Sequence, residues 1–158
     1  FKGKLEHGVI LDPIRQDEFV ASRGNGCSVN GTRTRVRTTK NLDGAMISTG
    51  GGGMQDVAEA QGRVYTQLIE ERAILRQPGS AALDLAYIAS GKLDGMWMKN
   101  LQLWDMAAGA LMVQESGGLL GDFSGGGNHL KSGNIIAAGP KVFKVLTPIV
   151  KKHLGAIK

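Results

Sequence analysis

Residues 79–123, GSAALDLAYIASGKLDGMWMKNLQLWDMAAGALMVQESGGLLGDF, decide the fold class because two patterns alternate along them. A helix is predicted over residues 79–91, with the final glycine as a left-handed cap. Leu93–Met98 predicts a strand, Asp105–Ser116 predicts a second helix, and Leu119–Phe123 predicts another strand. Strands that alternate with helices indicate a layered α/β domain.

The first quarter of the chain has the pattern of β-structure. Gly8–Leu11 is a short apolar run, and Glu18–Ser22 alternates in polarity. Arg23–Gly26 predicts a turn, Asn30-Gly31 is a strong hairpin signal, and Ala45–Thr49 predicts a buried strand. We therefore expect several short strands before the first helix.

The remaining segments continue the alternation. Few helix breakers interrupt Met54–Arg72, which predicts a helix, and Ala73–Leu75 predicts a buried strand. A further strand is predicted over Asn134–Ala138, and Pro140 suits the first turn of a terminal helix. Pro148 lies inside that helical pattern, so we expect a kink or a restart there.

The composition is that of one folded domain. Hydrophobic residues make up 42% of the 158 residues and charged residues 21%, a balance that excludes a disordered chain. The 24 glycines follow no G-X-Y period, which excludes collagen, and the 4 prolines are too few for a Pro/Gly-rich linker. The glycines therefore predict tight turns and close backbone contacts, although the run Gly50–Gly53 has no assigned role.

The cysteine count, the apolar runs and the first residues of the chain bear on the cellular location of the protein. Cys27 is the only cysteine, which excludes an internal disulfide and a multi-cysteine zinc site and favours a reducing, cytoplasmic location. No apolar run approaches the roughly 18 residues of a membrane span. The chain starts at Phe1 without a signal-peptide pattern and close to a predicted strand, so we expect a fragment of a longer protein.

The formal net charge is +5, and the densest basic run is Arg33-Thr34-Arg35-Val36-Arg37. On a strand, this spacing would place the side chains of Arg33, Arg35 and Arg37 on one face. Such a face would attract phosphate groups or nucleic acid. The alternative is an ordinary solvated basic surface.

Two segments could carry chemistry. Asp105 falls at a predicted helix start, where a carboxylate either caps free N–H groups or acts as a ligand for a hard metal such as Mg²⁺. Gly79, Ser80 and Ala81 also begin a helix, whose backbone N–H groups can hold an anion, with an N-cap serine as the alternative.

The scattered His7, His129 and His153 match no metal-ligand spacing and are expected at the surface. Two glycine-rich turns, Gly24-Asn25-Gly26 and Gly125-Gly126-Gly127, do not complete a phosphate-binding motif.

Five stretches, in order along nearly the whole chain, resemble the inositol monophosphatase family of the SuhB type. They are Asp12-Pro13 with Ala21–Gly26 and Asn30-Gly31, then Gly79–Asp84, Trp104–Gly109, Glu115–Gly118 and Ser132–Ala137. The resemblance implies an αβαβα sandwich with a mixed sheet flanked by helices, and Mg²⁺-dependent hydrolysis of phosphate monoesters of a polyol or sugar. It also implies that Asp105 is a metal ligand, that the backbone of Gly79, Ser80 and Ala81 contacts the substrate, and that the full-length protein is a homodimer.

The chain also departs from this family. The acidic motifs that hold metal in an N-terminal half are absent, so residues 1–158 are expected to form a single domain like the C-terminal half, inactive in isolation. Many relatives have a polyol-binding Glu seven residues before the metal-ligand Asp, and this chain has Met98 there. Gln102 and Leu103 replace the usual basic residue and proline. These changes leave the physiological substrate open.

Two other functions remain as alternatives. SuhB-type members are also linked to transcription complexes on ribosomal RNA operons, so the chain could belong to an antitermination complex that uses Arg33, Arg35 and Arg37 for nucleic-acid or partner binding. A redox or nucleotide enzyme is disfavoured because no phosphate-binding glycine motif is complete.

Overall fold

The computed structural model describes residues 1–50 and 57–156, and its first sheet is antiparallel. The four strands β1 (His7–Asp12), β2 (Asp17–Ser22), β3 (Gly26–Val29) and β4 (Thr32–Thr34) pair in chain order. The predicted Asn30-Gly31 hairpin is confirmed: both residues have positive φ, 48° and 76°, as a tight two-residue turn requires.

The second sheet is mixed and has the strand order β6-β5-β7-β9-β8. Strand β5 runs parallel to both β6 and β7, whereas β9 is antiparallel to β7 and β8. The strands are β5 (Met46–Gly50), β6 (Ile74–Arg76), β7 (Gly95–Met98), β8 (Leu119–Gly121) and β9 (Ile135–Ala138). Strands β7 and β9 are buried along their whole length, since helices cover both faces of this sheet.

The helices lie in two layers. They are α1 (Ala58–Glu70), α2 (Ala81–Ala89), α3 (Leu103–Glu115), α4 (His129–Ser132) and α5 (Pro140–Leu154). Apolar residues of α2 and α3 share one core with both sheets, so these two helices lie between the sheets. Helices α1 and α5 share a second core with the opposite face of the second sheet. The described residues therefore stack as sheet, helices, sheet, helices, and the predicted layered α/β fold with a mixed sheet is confirmed.

Small residues let the layers approach closely. A Cβ atom on Gly109 of α3 would lie 2.4 Å from the Cβ of Leu85 in α2. A Cβ on Gly8 of β1 would lie 3.0 Å from the Cα of Ala108. The close backbone contacts that the glycines predicted are found at these two positions, and they bring α3 against both α2 and the first sheet.

Several boundaries differ from the predictions. Helix α3 begins at Leu103 and not at Asp105, because Gln102, with an extended backbone, takes the capping position. Helix α5 continues through Pro148 without a restart. Helix α1 confirms the second part of the helix predicted over Met54–Arg72, but residues 51–56, with most of the Gly50–Gly53 run, lie outside the described residues.

Over residues 1–50 and 57–156, no helix is both long and apolar enough to cross a membrane.

Candidate phosphate-binding pocket

A pocket of about 250 Å³ lies where α2 and α3 begin beside the ends of β5 and β7. The described residues that line it are Gly50, Gly79, Ser80, Ala81, Ala82, Met98, Leu101 and Asp105. The fold thus brings Asp105 to the same pocket as the Gly79–Ala81 segment, although about 25 residues separate them in the chain. We call this cavity the site pocket.

The first turn of α2 supplies backbone donors to the site pocket. Ser80 is the N-cap residue, and its Oγ accepts a hydrogen bond from Leu83 N at 3.4 Å. Gly79 has φ of +96°, a left-handed conformation that a side chain would strain. Ala81 and Ala82 are the first residues of α2 and line the pocket. Their N–H groups therefore lie at the pocket wall, at the positive end of the helix dipole.

Asp105 is the third residue of α3 and is half-buried. Its Oδ2 accepts a hydrogen bond from Gln102 N at 2.9 Å, which fixes the carboxylate against the helix start. A carboxylate has about four lone-pair positions, so this cap leaves the others available to a cation. The two interpretations of Asp105, cap and ligand, are therefore compatible.

Among the described residues, Asp105 is the only acidic residue that lines the site pocket. In residues 1–50 and 57–156, no group of three or more His, Cys, Asp or Glu side chains is placed to hold a metal ion. An oxygen ligand beside helix N–H donors suits Mg²⁺ with a phosphate group, but Mg²⁺ demands about six oxygen ligands. This part of the pocket can therefore supply one protein ligand of such a site.

The apolar side of the pocket is formed by Met98 and Leu101. Met98 ends β7 and is buried. A thioether side chain offers only a weak acceptor, so this wall cannot bind hydroxyl groups as a carboxylate would.

Asp84, one turn after Ser80, is a buried carboxyl group that the sequence did not distinguish from an ordinary helix residue. It is fully buried, and among the described residues neither of its oxygens makes a hydrogen bond; the same is true of Ser48 Oγ in β5. Burial raises the pKa of Asp84 to about 6, against a smaller opposing effect of Ser48. Asp84 lies beneath the segment that lines the site pocket and does not line it.

Glu115 explains two of the motifs that the sequence singled out. It ends α3, and its two carboxylate oxygens accept hydrogen bonds from Gly24 N and Gly26 N, each at 2.9 Å. These bonds hold the pKa of Glu115 below its usual value, with the bond from Gly24 as the largest cause. Glu115 therefore stabilises the turn between β2 and β3 through these two hydrogen bonds.

The three arginines do not form the predicted continuous face, because β4 ends at Thr34. Arg33 lies on the strand, Arg35 donates to the Glu115 backbone oxygen at 3.2 Å, and Arg37 forms an ion pair at 3.2 Å with the buried Asp94. All three remain exposed.

A shallow groove of about 590 Å³ lies beside these arginines. Its lining includes Arg35, Arg37, Lys40 and Ser90, and we call it the cationic groove. Ser90 ends the nine-residue α2, so the groove and the site pocket lie at opposite ends of that helix, about 13 Å apart along its axis.

The remaining candidates are placed as follows. His7 is exposed and pairs with Ser22, and His153 pairs with Gln67. His129 is buried, so the expectation of a surface position was wrong for it, and burial lowers its pKa. Cys27 is buried, and burial raises the pKa of its thiol to about 11, which makes it unreactive.

The chain is similar in sequence to known proteins. The profile of the "Inositol monophosphatase family" matches residues 1–154. The chain is 46% identical to the "Nus factor SuhB" of Pseudomonas aeruginosa over 157 residues, which cover 98% of this chain and 58% of that protein. It is 42% identical to the "Nus factor SuhB" of Escherichia coli strain K12 over 155 residues, again 98% of this chain and 58% of that protein.

Solved structures give the same result. The extragenic suppressor protein SuhB from Bartonella henselae superposes with a TM-score of 0.91 at 40% identity, over 96% of this chain and 58% of that chain. An inositol monophosphatase from Thermotoga maritima superposes with a TM-score of 0.87 at 29% identity, over 99% of this chain and 59% of that chain. The chain thus spans a little under three fifths of the length of the relatives it matches.

Proposed function

This chain belongs to the inositol monophosphatase family, and we propose that the protein containing it hydrolyses phosphate monoesters of a small polyol or sugar with Mg²⁺ as cofactor. The observation that supports this proposal most directly is the site pocket, where Asp105 faces the first turn of α2. A carboxylate for a cation and N–H groups for an oxyanion are complementary parts of a phosphate ester site.

In this proposal the residues have separate roles. The backbone of Gly79, Ser80 and Ala81 binds and orients the substrate, and the Asp105 carboxylate holds Mg²⁺. When bound, Mg²⁺ neutralises charge on the phosphoryl oxygens and lowers the pKa of a bound water. The hydrogen bond from Gln102 N keeps the Asp105 carboxylate in one orientation, so its free lone pairs stay directed consistently.

The pocket wall also bears on the substrate class. Met98 and Leu101 offer apolar surface where a hydroxyl-binding group would be expected. Sites that hydrogen-bond a hydroxyl discriminate strongly, whereas apolar walls discriminate weakly. We therefore place the substrate among phosphorylated sugars and polyols in general, without a preference for inositol.

One carboxylate does not complete a Mg²⁺ site. We propose that residues 1–158 form one unit, equivalent to the C-terminal half of the family fold, and that the other ligands come from a part of the protein outside this chain. The share of the relatives that the chain covers, 58%, supports this arrangement. The isolated 158-residue chain should then have little activity, and robust turnover by it would contradict the arrangement.

The catalytic role of Asp105 has a direct test in the intact protein. Asp105→Asn keeps an oxygen acceptor for Gln102 N but removes the charge. We therefore expect a loss of Mg²⁺-dependent hydrolysis of at least about 10- to 100-fold, which is the cost of removing even an outer-shell partner of a metal site. The matched control is Asp43→Asn, at an exposed carboxylate paired with Arg72. Hydrolysis that persists in Asp105→Asn would overturn the ligand role.

A binding role is the second candidate, and the cationic groove favours it. Arg35, Arg37 and Lys40 present positive charge there, and the similar proteins named Nus factor suggest a partner in the transcription machinery, such as an antitermination complex on ribosomal RNA operons. We propose that Arg33, Arg35 and Arg37 contribute to nucleic-acid or partner contacts on this side. Lys40→Glu should weaken binding of RNA and leave hydrolysis unchanged, whereas Asp105→Asn should do the reverse. Equal RNA binding by Lys40→Glu would contradict this role.

Two further parts of the proposal follow from the family and the composition. We propose a homodimer for the full-length protein, which light scattering can check, and a cytoplasmic location, which the single cysteine supports.

A further inference from the structure

The loop of Asn100, Leu101 and Gln102 connects β7 to α3 and carries part of the site pocket. Leu101 lines the pocket directly, and Gln102 N holds Asp105. Asn100 has φ of +58°, in the left-handed region that asparagine adopts more readily than most residues with a side chain. Contacts from outside the loop hold its backbone in place.

Those contacts come from the corner between α4 and β9. Asn100 N donates to Asn134 Oδ1 at 3.2 Å, and Leu101 N donates to the Gly133 backbone oxygen at 2.9 Å. Two successive backbone donors of the loop are thus bound by two successive residues of the corner.

The corner leaves no room for a side chain at its centre. Gly133 has φ of +74°, and a Cβ atom there would lie 2.5 Å from the Leu101 backbone oxygen. Asn134 is 5% exposed, and its own N–H donates to Ser132 Oγ at 3.2 Å. Because β9 follows at once and is completely buried, the corner is anchored to the core of the second sheet.

We propose that Gly133 and Asn134 are positioning residues, which set the place of Leu101 and, through Gln102, of Asp105. The proposal rests on the proposed function of the site pocket and adds the means by which one of its walls is held. It also gives a role to the Ser132–Ala137 motif, which the pocket itself does not use.

The consequence is catalytic and not only structural. Removal of the Asn134 amide leaves Asn100 N without its acceptor, so the loop relaxes and the Asp105 carboxylate is displaced. A misplacement of about 1 Å can reduce turnover by about 100-fold. Binding through the backbone of α2 does not pass through this loop, so kcat should fall more than KM rises.

The experiment compares Asn134→Ala, Asn134→Asp and Asn128→Ala in the intact protein. Asn134→Asp keeps an acceptor oxygen at the same place, and Asn128→Ala is the matched control, since the Asn128 side chain makes no cap hydrogen bond to α4. Hydrogen exchange of the Asn100 and Leu101 amides gives a readout that does not need activity.

For Asn134→Ala we expect at least 10-fold faster exchange of the two amides. We also expect a 10- to 100-fold lower kcat with KM changed less than 3-fold, following the cost of misplacement. Asn134→Asp should return amide exchange and kcat most of the way to the values of the unmutated protein. Asn128→Ala should behave like the unmutated protein. If Asn134→Ala does not fold, Asn134→Ser takes its place with the same expectations.

Unchanged exchange in Asn134→Ala overturns the proposal whatever the activity is. Faster exchange with unchanged kcat overturns the positioning role. Faster exchange in a protein whose unmutated form does not hydrolyse phosphate monoesters supports the contact to the loop and contradicts the proposed function, so the two failures are distinguishable.

Discussion

Two aspartates near the starts of α2 and α3 have opposite surroundings. Asp105 is half-buried at the site pocket and keeps lone pairs for a cation. Asp84 is fully buried, and the opposing effect of Ser48 is smaller than the cost of losing water. Burial therefore opposes the charged form of Asp84. Residue type alone does not distinguish the two roles.

Asp84 should make stability depend on pH. Its pKa is about 6 in the folded chain and 3.8 ordinarily, so the folded state binds the proton more tightly than the unfolded state. The contribution to stability is fully present below about pH 4 and is lost as pH rises through about 6. Since Asp84→Asn does not titrate, its stability relative to the unmutated chain should rise by about 2.5 kcal/mol between pH 4 and pH 7.5.

Urea unfolding at the two pH values measures this difference. Asp43→Asn is the matched control, because the Asp43 side chain is exposed and its ion pair with Arg72 contributes less than about 1 kcal/mol. The difference in the free energy of unfolding between Asp84→Asn and the unmutated chain could instead be the same at both pH values. That result would show that Asp84 is charged, or paired, at both.

At the scale of elements, the contact between α2 and α3 sets the geometry of the pocket, since each helix contributes one side of it. The contact depends on Gly109, where a Cβ would lie 2.4 Å from Leu85 Cβ and 2.8 Å from its Cδ1. Gly109→Ala should destabilise the fold by about 2 kcal/mol, as overpacking does in a filled core. Urea unfolding midpoints give the measurement.

Gly62 of α1 provides the control, because a Cβ there meets no atom within 4 Å. Gly62→Ala should stabilise the chain by about 0.5–1 kcal/mol through helix propensity alone. If Gly109→Ala proved as stable as Gly62→Ala, the two helices would be free to separate, and the close approach would not position the site pocket.

Elements whose signals are local could be predicted from the sequence. The Asn30-Gly31 turn, the Ser80 cap and the glycine at position 91 each depend on the conformational preference of one or two residues. The alternation of strands and helices likewise followed from periodicity and gave the layered fold. The candidate pocket residues Gly79–Ala81 and Asp105 were identified by their positions at helix starts and by the family resemblance.

Contacts between distant segments could not be predicted in the same way. Gly24 and Glu115 are separated by 91 residues, and the pairing of Asn100 with Asn134 depends on the order of strands in the second sheet. The alternating arginines would share one face only on a strand that reached Arg37. Strand β4 ends at Thr34, because Val36 N bonds to the Ser116 backbone oxygen and no longer to β3. Tertiary contacts overrode the local pattern there.

At the scale of the whole molecule, the two proposed surfaces lie at opposite ends of α2, so one can be altered without the other. The site pocket joins the starts of α2 and α3 to the ends of β5 and β7, and the cationic groove joins the end of α2 to the segment after β4. This separation allows a single chain to carry both a hydrolytic and a binding role, which is why the variants Asp105→Asn and Lys40→Glu discriminate between them.

The layer order leaves one face of the first sheet uncovered in the described residues. Val9 and Leu11 of β1 are 61% and 59% exposed, whereas Gly8 and Asp12, on the alternate face, are buried. Gly8 packs against Ala108 of α3, so Val9 and Leu11 point away from the helices. If the intact protein has the five-layered family fold that we propose, a further helical layer covers these side chains.

A change at Val9 should therefore have different effects in the two lengths of chain. Val9→Thr keeps the shape of the side chain but adds a hydroxyl, so it should cost less than about 0.5 kcal/mol in the 158-residue chain and about 1–2 kcal/mol in the intact protein. Ile10→Thr is the matched control. Because Ile10 packs against the core between the sheets, this substitution should destabilise the 158-residue chain and the intact protein similarly. Urea unfolding of the four variants gives the comparison. An equal, small effect of Val9→Thr in both lengths would mean that solvent, and not a fifth layer, covers the outer face of the first sheet.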